Sequence, residues 1–307
     1  VVRFGIAMPQ VSAGGPTDVA ALHRFLRRAE DLGFESAWVL EQPVGHAAVL
    51  EPVTLLAHAA AVTERIRLGT AVILLPLKIP VDLARTLATV DQLSGGRLIA
   101  GLALGAWQDR YPAFGLSADG RVRRFEEAVR LLKLLWTERG VTFDGEFWQL
   151  DDVTIGTRPI QQPHPPIWFG GNMPKAVQRA ARMADGWMGA GSSRTADFAD
   201  ARRVLAGALE AEGRDPDGFE VAKRVYIAVD DDAERAHLRL REGFGLFYGN
   251  PDMADRVAVW GPVDACVEGL AAVVEAGARM IALNPMYEHA EQAEVLAAEV
   301  MPRLAGP

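Results

Sequence analysis

Short apolar runs alternate with longer amphipathic ones along this entire chain, and that rhythm limits the folds open to it more than any single residue does. Val2–Met8, Ser36–Leu40, Ile66–Leu74 and Arg97–Leu104 read as strands, separated by helical stretches over Asp18–Leu32, Glu51–Thr63 and Pro80–Leu93. After a long helix over Arg121–Thr137, strands follow at Pro166–Phe169, Gly186–Gly189, Phe219–Val229 and Met280–Asn284. Helices over Pro174–Met183, Ala196–Glu212, Asp231–Phe247 and Pro262–Ala276 lie between them, and Glu288–Leu304 closes the chain. Proline and glycine punctuate the starts and stops, as in Gly33 and Ser94-Gly95-Gly96. Strands joined by helices must run parallel, and eight such units predict an α/β fold of the (β/α)8 barrel type. An open doubly wound sheet has the same local pattern. With 307 residues, 50% of them hydrophobic, the chain suits one barrel domain over 1–307.

One stretch breaks the rhythm. Residues 138–166 hold an alternating segment around Asp144-Gly145, which reads as a hairpin, and then a tract rich in proline and glutamine. We expect an insertion there, lying over the C-terminal mouth of the barrel.

Composition removes several function classes. A net charge of -8, spread along the chain, argues against nucleic acid and against an anionic membrane surface. No apolar run approaches the roughly 18 residues of a membrane span, and the opening residues lack the features of a signal peptide. The single cysteine, Cys266, has no internal partner, so a cytoplasmic location is expected, and nothing beside it would lower its pKa for catalysis. His23, His46, His58, His164, His237 and His289 are scattered without metal-ligand spacing, so no metal is expected. No Gly-x-Ser-x-Gly elbow or phosphate-loop motif occurs.

Function in such barrels sits at the carboxyl ends of the strands. The fifth strand ends in Gly170-Gly171-Asn172 with a helix directly behind, and the sixth in Gly189-Ala190-Gly191-Ser192-Ser193-Arg194. Glycines admit a ligand close to the backbone, Asn172 suits an N-cap, and free amides at a helix start attract an anion. Either turn alone suits an ordinary connection; the adjacent pair, with Ser192, Ser193 and Arg194 placed where a phosphate could be completed, points to phosphate. The fourth strand ends in Gly101-Leu102-Ala103-Leu104-Gly105-Ala106-Trp107. Gly105 and Trp107 there could flank a planar ring, or the glycines could simply relieve crowding in the barrel. The second strand ends in Glu41-Gln42, with His46 behind, and these three are the candidate polar groups of the mouth. Gln42 can only hydrogen-bond, since an amide does not titrate. Trp107, Tyr111, Phe114, Trp148 and Phe247 are candidate pocket aromatics.

Several stretches, in order, resemble the bacterial luciferase-like flavin- and deazaflavin-dependent oxidoreductases. They are Phe4-Gly5-Ile6, Gly33 to Val39, Ile66 to Val72, Ala88 to Arg97, Pro166 to Asn172, and Ala180 to Trp187. The resemblance implies a barrel with a cofactor ring across its mouth. It also implies a bulge after the third strand that backs the ring, often with a non-proline cis peptide, which maps to Thr70, Ala71 and Val72. Its phosphate positions map to Gly170, Gly171, Asn172, Gly191 and Ser192. The fifth-strand motif and the Gly105–Trp107 stretch look most like members using coenzyme F420, with FMN as the alternative cofactor. Such members commonly carry Asp-His where this chain has Glu41-Gln42, so either Glu41 or His46 takes over proton transfer, or the substrate needs no such acid. The resemblance also suggests a homodimer.

The expected activity is hydride transfer between coenzyme F420 and a small, partly apolar organic substrate. The alternatives are an FMN-dependent monooxygenase and a non-catalytic flavin-binding protein.

Overall fold

The computed structural model describes residues 1–12, 14–45, 47–105 and 108–304. Eight strands form the barrel: β1 (Arg3–Ala7), β2 (Ser36–Val39), β3 (Arg67–Thr70), β4 (Leu98–Ala103), β5 (Ile167–Gly170), β6 (Gly186–Gly189), β7 (Glu220–Val229) and β8 (Met280–Asn284). All neighbours pair in parallel, β8 with β1 and β4 with β5, so the sheet closes on itself. Closure excludes the open doubly wound sheet.

Helices α1 (Val19–Asp31), α2 (Pro52–Val62), α3 (Pro80–Leu93), α4 (Arg121–Thr137), α5 (Pro174–Met183), α6 (Thr195–Ala211), α7 (Ala233–Tyr248) and α8 (Val263–Glu275) surround it. Their starts are chemically marked. Asp18 accepts the Ala21 N–H at 2.9 Å, Glu51 accepts the Thr54 N–H at 2.7 Å, and proline opens α2, α3 and α5.

The two largest cores have different sequence origins. The large one fills the layer between strands and helices with Leu, Val, Ile and Phe. The barrel interior is built on Trp38 and Trp168, 5.4 Å apart, with Ile99, Met188 and Met280. Two indoles fit because the facing strands carry glycine: a Cβ on Gly69 would sit 2.3 Å from the Trp38 ring.

Three elements depart from the sequence expectation. The third strand was expected to run unbroken over 66–74; it stops at Thr70, and Ile73–Leu74 resumes beside β4. The cause is local. Thr70 Oγ1 donates to the Gly101 carbonyl at 2.7 Å and accepts the Gly101 N–H at 2.9 Å, replacing the strand ladder. The closing helix is divided by a π turn over Leu296–Val300, just before Pro302, which has no N–H to continue the ladder.

The third departure is the insertion. Its hairpin (Val141–Asp144 and Gln149–Val153) lies along α4, because the buried Glu127 carboxylate accepts the amides of Glu146, Phe147 and Trp148 at 2.9–3.0 Å. Farther on, Asp91 on α3 accepts the N–H groups of Ile160 and Gln161. These carboxylates hold the segment to the helix layer, and none of it lines the mouth cavity.

Candidate functional site

The carboxyl ends of β1, β2, β3 and β8 open into one cavity, with Met8, Leu40, Ala71 and Asn284 on its wall. Its roof comes from α7, through Gly243, Leu246 and Phe247, together with Met286. The wall is set by Gln10. Its amide donates to the Leu40 and Leu50 carbonyls and accepts the Leu40 N–H at 2.7 Å, fixing the chain as it leaves β1 and β2.

Beside this cavity is the bulge after β3, where the Ala71–Val72 peptide is cis. Two glycines make room for it. A Cβ on Gly101 would lie 1.7 Å from the Thr70 carbonyl oxygen, and one on Gly170 would lie 2.8 Å from Val72 Cγ1. Gly101 therefore relieves crowding against the bulge. The exit from the bulge is held by Glu41, whose buried carboxylate accepts the Leu74 N–H at 2.6 Å and pairs with Lys78. Next to it, Gln42 donates to the Phe247 carbonyl at 3.3 Å, which ties the β2 loop to the roof, while its Oε1 is buried without a partner.

The two glycine turns come together at the ends of β5 and β6. Asn172 Oδ1 accepts the Ala190 N–H at 3.1 Å, so one turn carries the other. Asn172 is not the N-cap of α5; Met173 occupies that position. Among the described residues, the N–H groups of Asn172, Gly191 and Ser192 have no acceptor. A Cβ on Gly191 would lie 2.8 Å from the Tyr226 ring, so only glycine fits there. Behind the second turn, buried Lys223 donates to the Ser193 carbonyl at 2.9 Å and also to the Ala190 carbonyl. Holding these carbonyls down leaves the turn's amides available. Burial, aided by the charge of Arg224, pushes the Lys223 amine down to about 7, against the opposing pull of Asp197. Arg194, expected to help complete a phosphate site, instead forks onto Asp197.

Arg224 follows Lys223 on β7 and reaches the cavity wall. Its Nε donates to Asn284 Oδ1 at 2.8 Å, Nη1 to the Ala71 carbonyl at 3.2 Å, and Nη2 to Tyr226 Oη at 2.9 Å. Tyr226 in turn meets Tyr248 at 2.7 Å, and burial raises its phenol well above the ordinary value, so it stays protonated. Loss of solvent pushes His289, also on the wall, down to about 4, so it is neutral at pH 7.

The model of the luciferase-like monooxygenase family matches residues 2–280. The chain belongs to that family. Luciferase-like relatives of different chemistry match it about equally. An FMNH(2)-dependent dimethylsulfone monooxygenase of Pseudomonas putida is 30% identical, over 78% of this chain and 69% of that protein. An F420-dependent glucose-6-phosphate dehydrogenase of Nakamurella multipartita is 31% identical, over 76% of this chain and 70% of that protein. Among solved structures, a monooxygenase from Streptomyces bottropensis superposes with a TM-score of 0.85 at 27% identity, covering 98% and 99% of the two chains. An F420-dependent secondary alcohol dehydrogenase, in complex with an F420-acetone adduct, gives 0.85 at 20% identity over 99% of each chain and shares the fold. The family thus includes oxidoreductases that use coenzyme F420 and monooxygenases that use FMN.

The residues of this luciferase-like chain fit a phosphate-bearing planar cofactor. Unclaimed amides and a buried amine gather at the two turns, and the bulge offers a surface beside the cavity. Of the site residues expected from sequence, Thr70, Ala71, Val72 and Gly170 meet at the bulge, while Gly171, Asn172, Gly191 and Ser192 meet at the turns. Gly105 sits against Leu74 beyond the bulge, and Glu41 and Gln42 are engaged as above. His46 and Trp107 lie outside the described residues. Of the other four expected pocket aromatics, only Phe247 lines the cavity; Tyr111 is buried, with its hydroxyl donating to the Leu104 carbonyl, and Trp148 packs against the main core. Sequence reasoning missed Lys223, Arg224 and Asn284. The available signal was the Lys-Arg pair inside an otherwise apolar strand.

Proposed function

We propose that this luciferase-like chain is an oxidoreductase that transfers hydride between coenzyme F420 and a small, partly apolar organic substrate. The observation that carries the reading is the adjacency of three things: the β3 bulge, an apolar-walled cavity, and two linked turns with unclaimed amides. The cofactor, when bound, supplies the hydride donor or acceptor.

The chain's own part is binding, orientation and exclusion of water. Asn172, Gly191 and Ser192 donate amides to the cofactor phosphate, and Lys223 provides a positive charge behind them. Thr70, Ala71, Val72 and Gly170 form the backing of the ring site, with Gly105 beyond it. Met8, Leu246, Phe247 and Met286 keep the substrate side dry. Glu41 serves to position the bulge, since its oxygens are already taken by Leu74 and Lys78. Gln42 offers an acceptor but no proton, which leaves His46 or solvent for any proton transfer.

The second reading is an FMN-dependent monooxygenase, favoured by the identity to the dimethylsulfone enzyme. A non-catalytic flavin binder is disfavoured, because the roofed cavity beside the ring site would then have no purpose. Titration with each cofactor, followed by fluorescence quenching, separates these. Tight binding of the deazaflavin alone supports the proposal, FMN alone supports oxygen chemistry, and binding of neither refutes both.

A further inference from the structure

Among the described residues, nothing balances the charge that Arg224 presents. A guanidinium has five N–H donors. In this one, Nε and Nη2 bond Asn284, Nη2 also bonds Tyr226, and Nη1 bonds the Ala71 carbonyl, leaving one N–H of Nη1 over. All three partners are neutral: an amide, a backbone carbonyl, and a phenol whose burial keeps it protonated. Among the described residues, no carboxylate pairs with Arg224, and none lines the cavity. The two other titratable side chains on the wall carry no charge at neutral pH: Tyr226 stays protonated, and His289 is held neutral by burial. The rest of the lining is mostly apolar, with Met8, Val39, Leu246, Phe247 and Met286 among it.

An unpaired charge at an apolar wall is costly to keep, because the low dielectric weakens its solvation. A purely structural tie between β7, β8 and the bulge would need only hydrogen bonds. Arg224 is also immobilised by its four bonds, so it is held in place before any ligand arrives, which suits recognition of a planar or forked oxyanion. We propose that Arg224 is the anchor for an anionic group on the substrate, a carboxylate, sulfinate or sulfonate, whose remaining body is apolar and lies under α7. The inference rests on the oxidoreductase reading above and narrows its substrate class to organic anions. The other source of such a charge is the cofactor itself, whose ring site adjoins Arg224 through Ala71, and the test separates the two.

The test uses isothermal titration of the protein, with and without bound deazaflavin or FMN. The probes are benzoate, hexanoate and hexanesulfonate against benzyl alcohol and hexan-1-ol. The expected result is that at least one anion binds about tenfold or more tighter than its neutral counterpart. That preference is lost in Arg224→Leu and partly kept in Arg224→Lys, while the cofactor dissociation constant of Arg224→Leu stays within about threefold of wild type. Equal binding of anion and alcohol to the wild type overturns the proposal, as does an anion preference that survives in Arg224→Leu. Loss of cofactor binding in a folded Arg224→Leu assigns the charge to the cofactor and likewise overturns it. If Arg224→Leu does not fold, the wild-type comparison and Arg224→Lys still decide. Failure of the wild type to bind either cofactor, with the anion preference intact, refutes the oxidoreductase reading while leaving the anion site standing.

Discussion

Replacing Gly101 by alanine tests the geometry on which the candidate ring site depends. An added Cβ would stand 1.7 Å from the Thr70 carbonyl oxygen and 2.9 Å from its carbon, whereas real Cβ contacts essentially never fall below 3.0 Å. The obstacle is backbone, so no rotamer change relieves it, and β3 must withdraw by more than an ångström. That withdrawal breaks the two Thr70–Gly101 hydrogen bonds of 2.7 and 2.9 Å, which are buried and worth about 1 kcal/mol each. Overpacking adds about 1–3 kcal/mol, so the expected loss is roughly 3–5 kcal/mol. For a chain of this size that lowers the melting temperature by roughly 5–8 °C. Scanning calorimetry and cofactor titration should show both a lower melting temperature and weakened cofactor binding, because the bulge carries Ala71 and Val72. Gly207 on α6 supplies the contrast: nothing lies within 4 Å of its added Cβ, so Gly207→Ala should gain about 0.5–1 kcal/mol through helix propensity. A Gly101→Ala protein melting within about 2 °C of wild type would refute the reasoning.

Four further outcomes follow, three from the site and one from the core. Because the Lys223 amine lies near 7 and a bound phosphate favours its charged form, cofactor affinity should fall by up to about tenfold per pH unit above pH 7. In Lys223→Met that slope should vanish; a slope unchanged in the variant rules out the role given to Lys223. The unfolded chain keeps the same proton up to about pH 10.4, so unfolding takes up a proton between pH 7 and 10 and stability should rise with pH there, in wild type only. Glu41→Gln should cost about 1–3 kcal/mol, below the range for a fully buried pair because Lys78 is 26% exposed, and should loosen cofactor binding; unchanged melting and binding would return Glu41 to the list of proton-transfer candidates. Cys266, pushed up to about 12 by burial, should react with a thiol reagent at least about a hundredfold slower in the folded protein than in denaturant, and comparable rates would contradict its burial.

The sequence by itself determined the barrel and the placement of its two glycine turns. Apolar runs of strand length, helices opened by Asp18, Glu51, Pro80 and Pro174, and the glycines after β5 and β6 are local signals, and local backbone preference answers them directly. The cis peptide at Ala71–Val72 stands where family resemblance implied it, although nothing in the composition of that stretch marks it. Only the tertiary structure decided which polar groups are free to act. Glu41 and Gln42 read alike as mouth residues, yet one carboxylate is taken by Lys78 and Leu74, whereas the other side chain keeps an unanswered oxygen. The insertion carries no mark of where it will lie, because its place depends on Glu127 and Asp91, which are far away in sequence and turned toward it only by the helix layer. Lys223 and Arg224 are adjacent in the chain, but alternate residues of a strand face opposite ways. Closure of the barrel gives Lys223 the turn after β6 and Arg224 the cavity, and whether a charge has a partner is a property of that closed space, which no stretch of sequence contains.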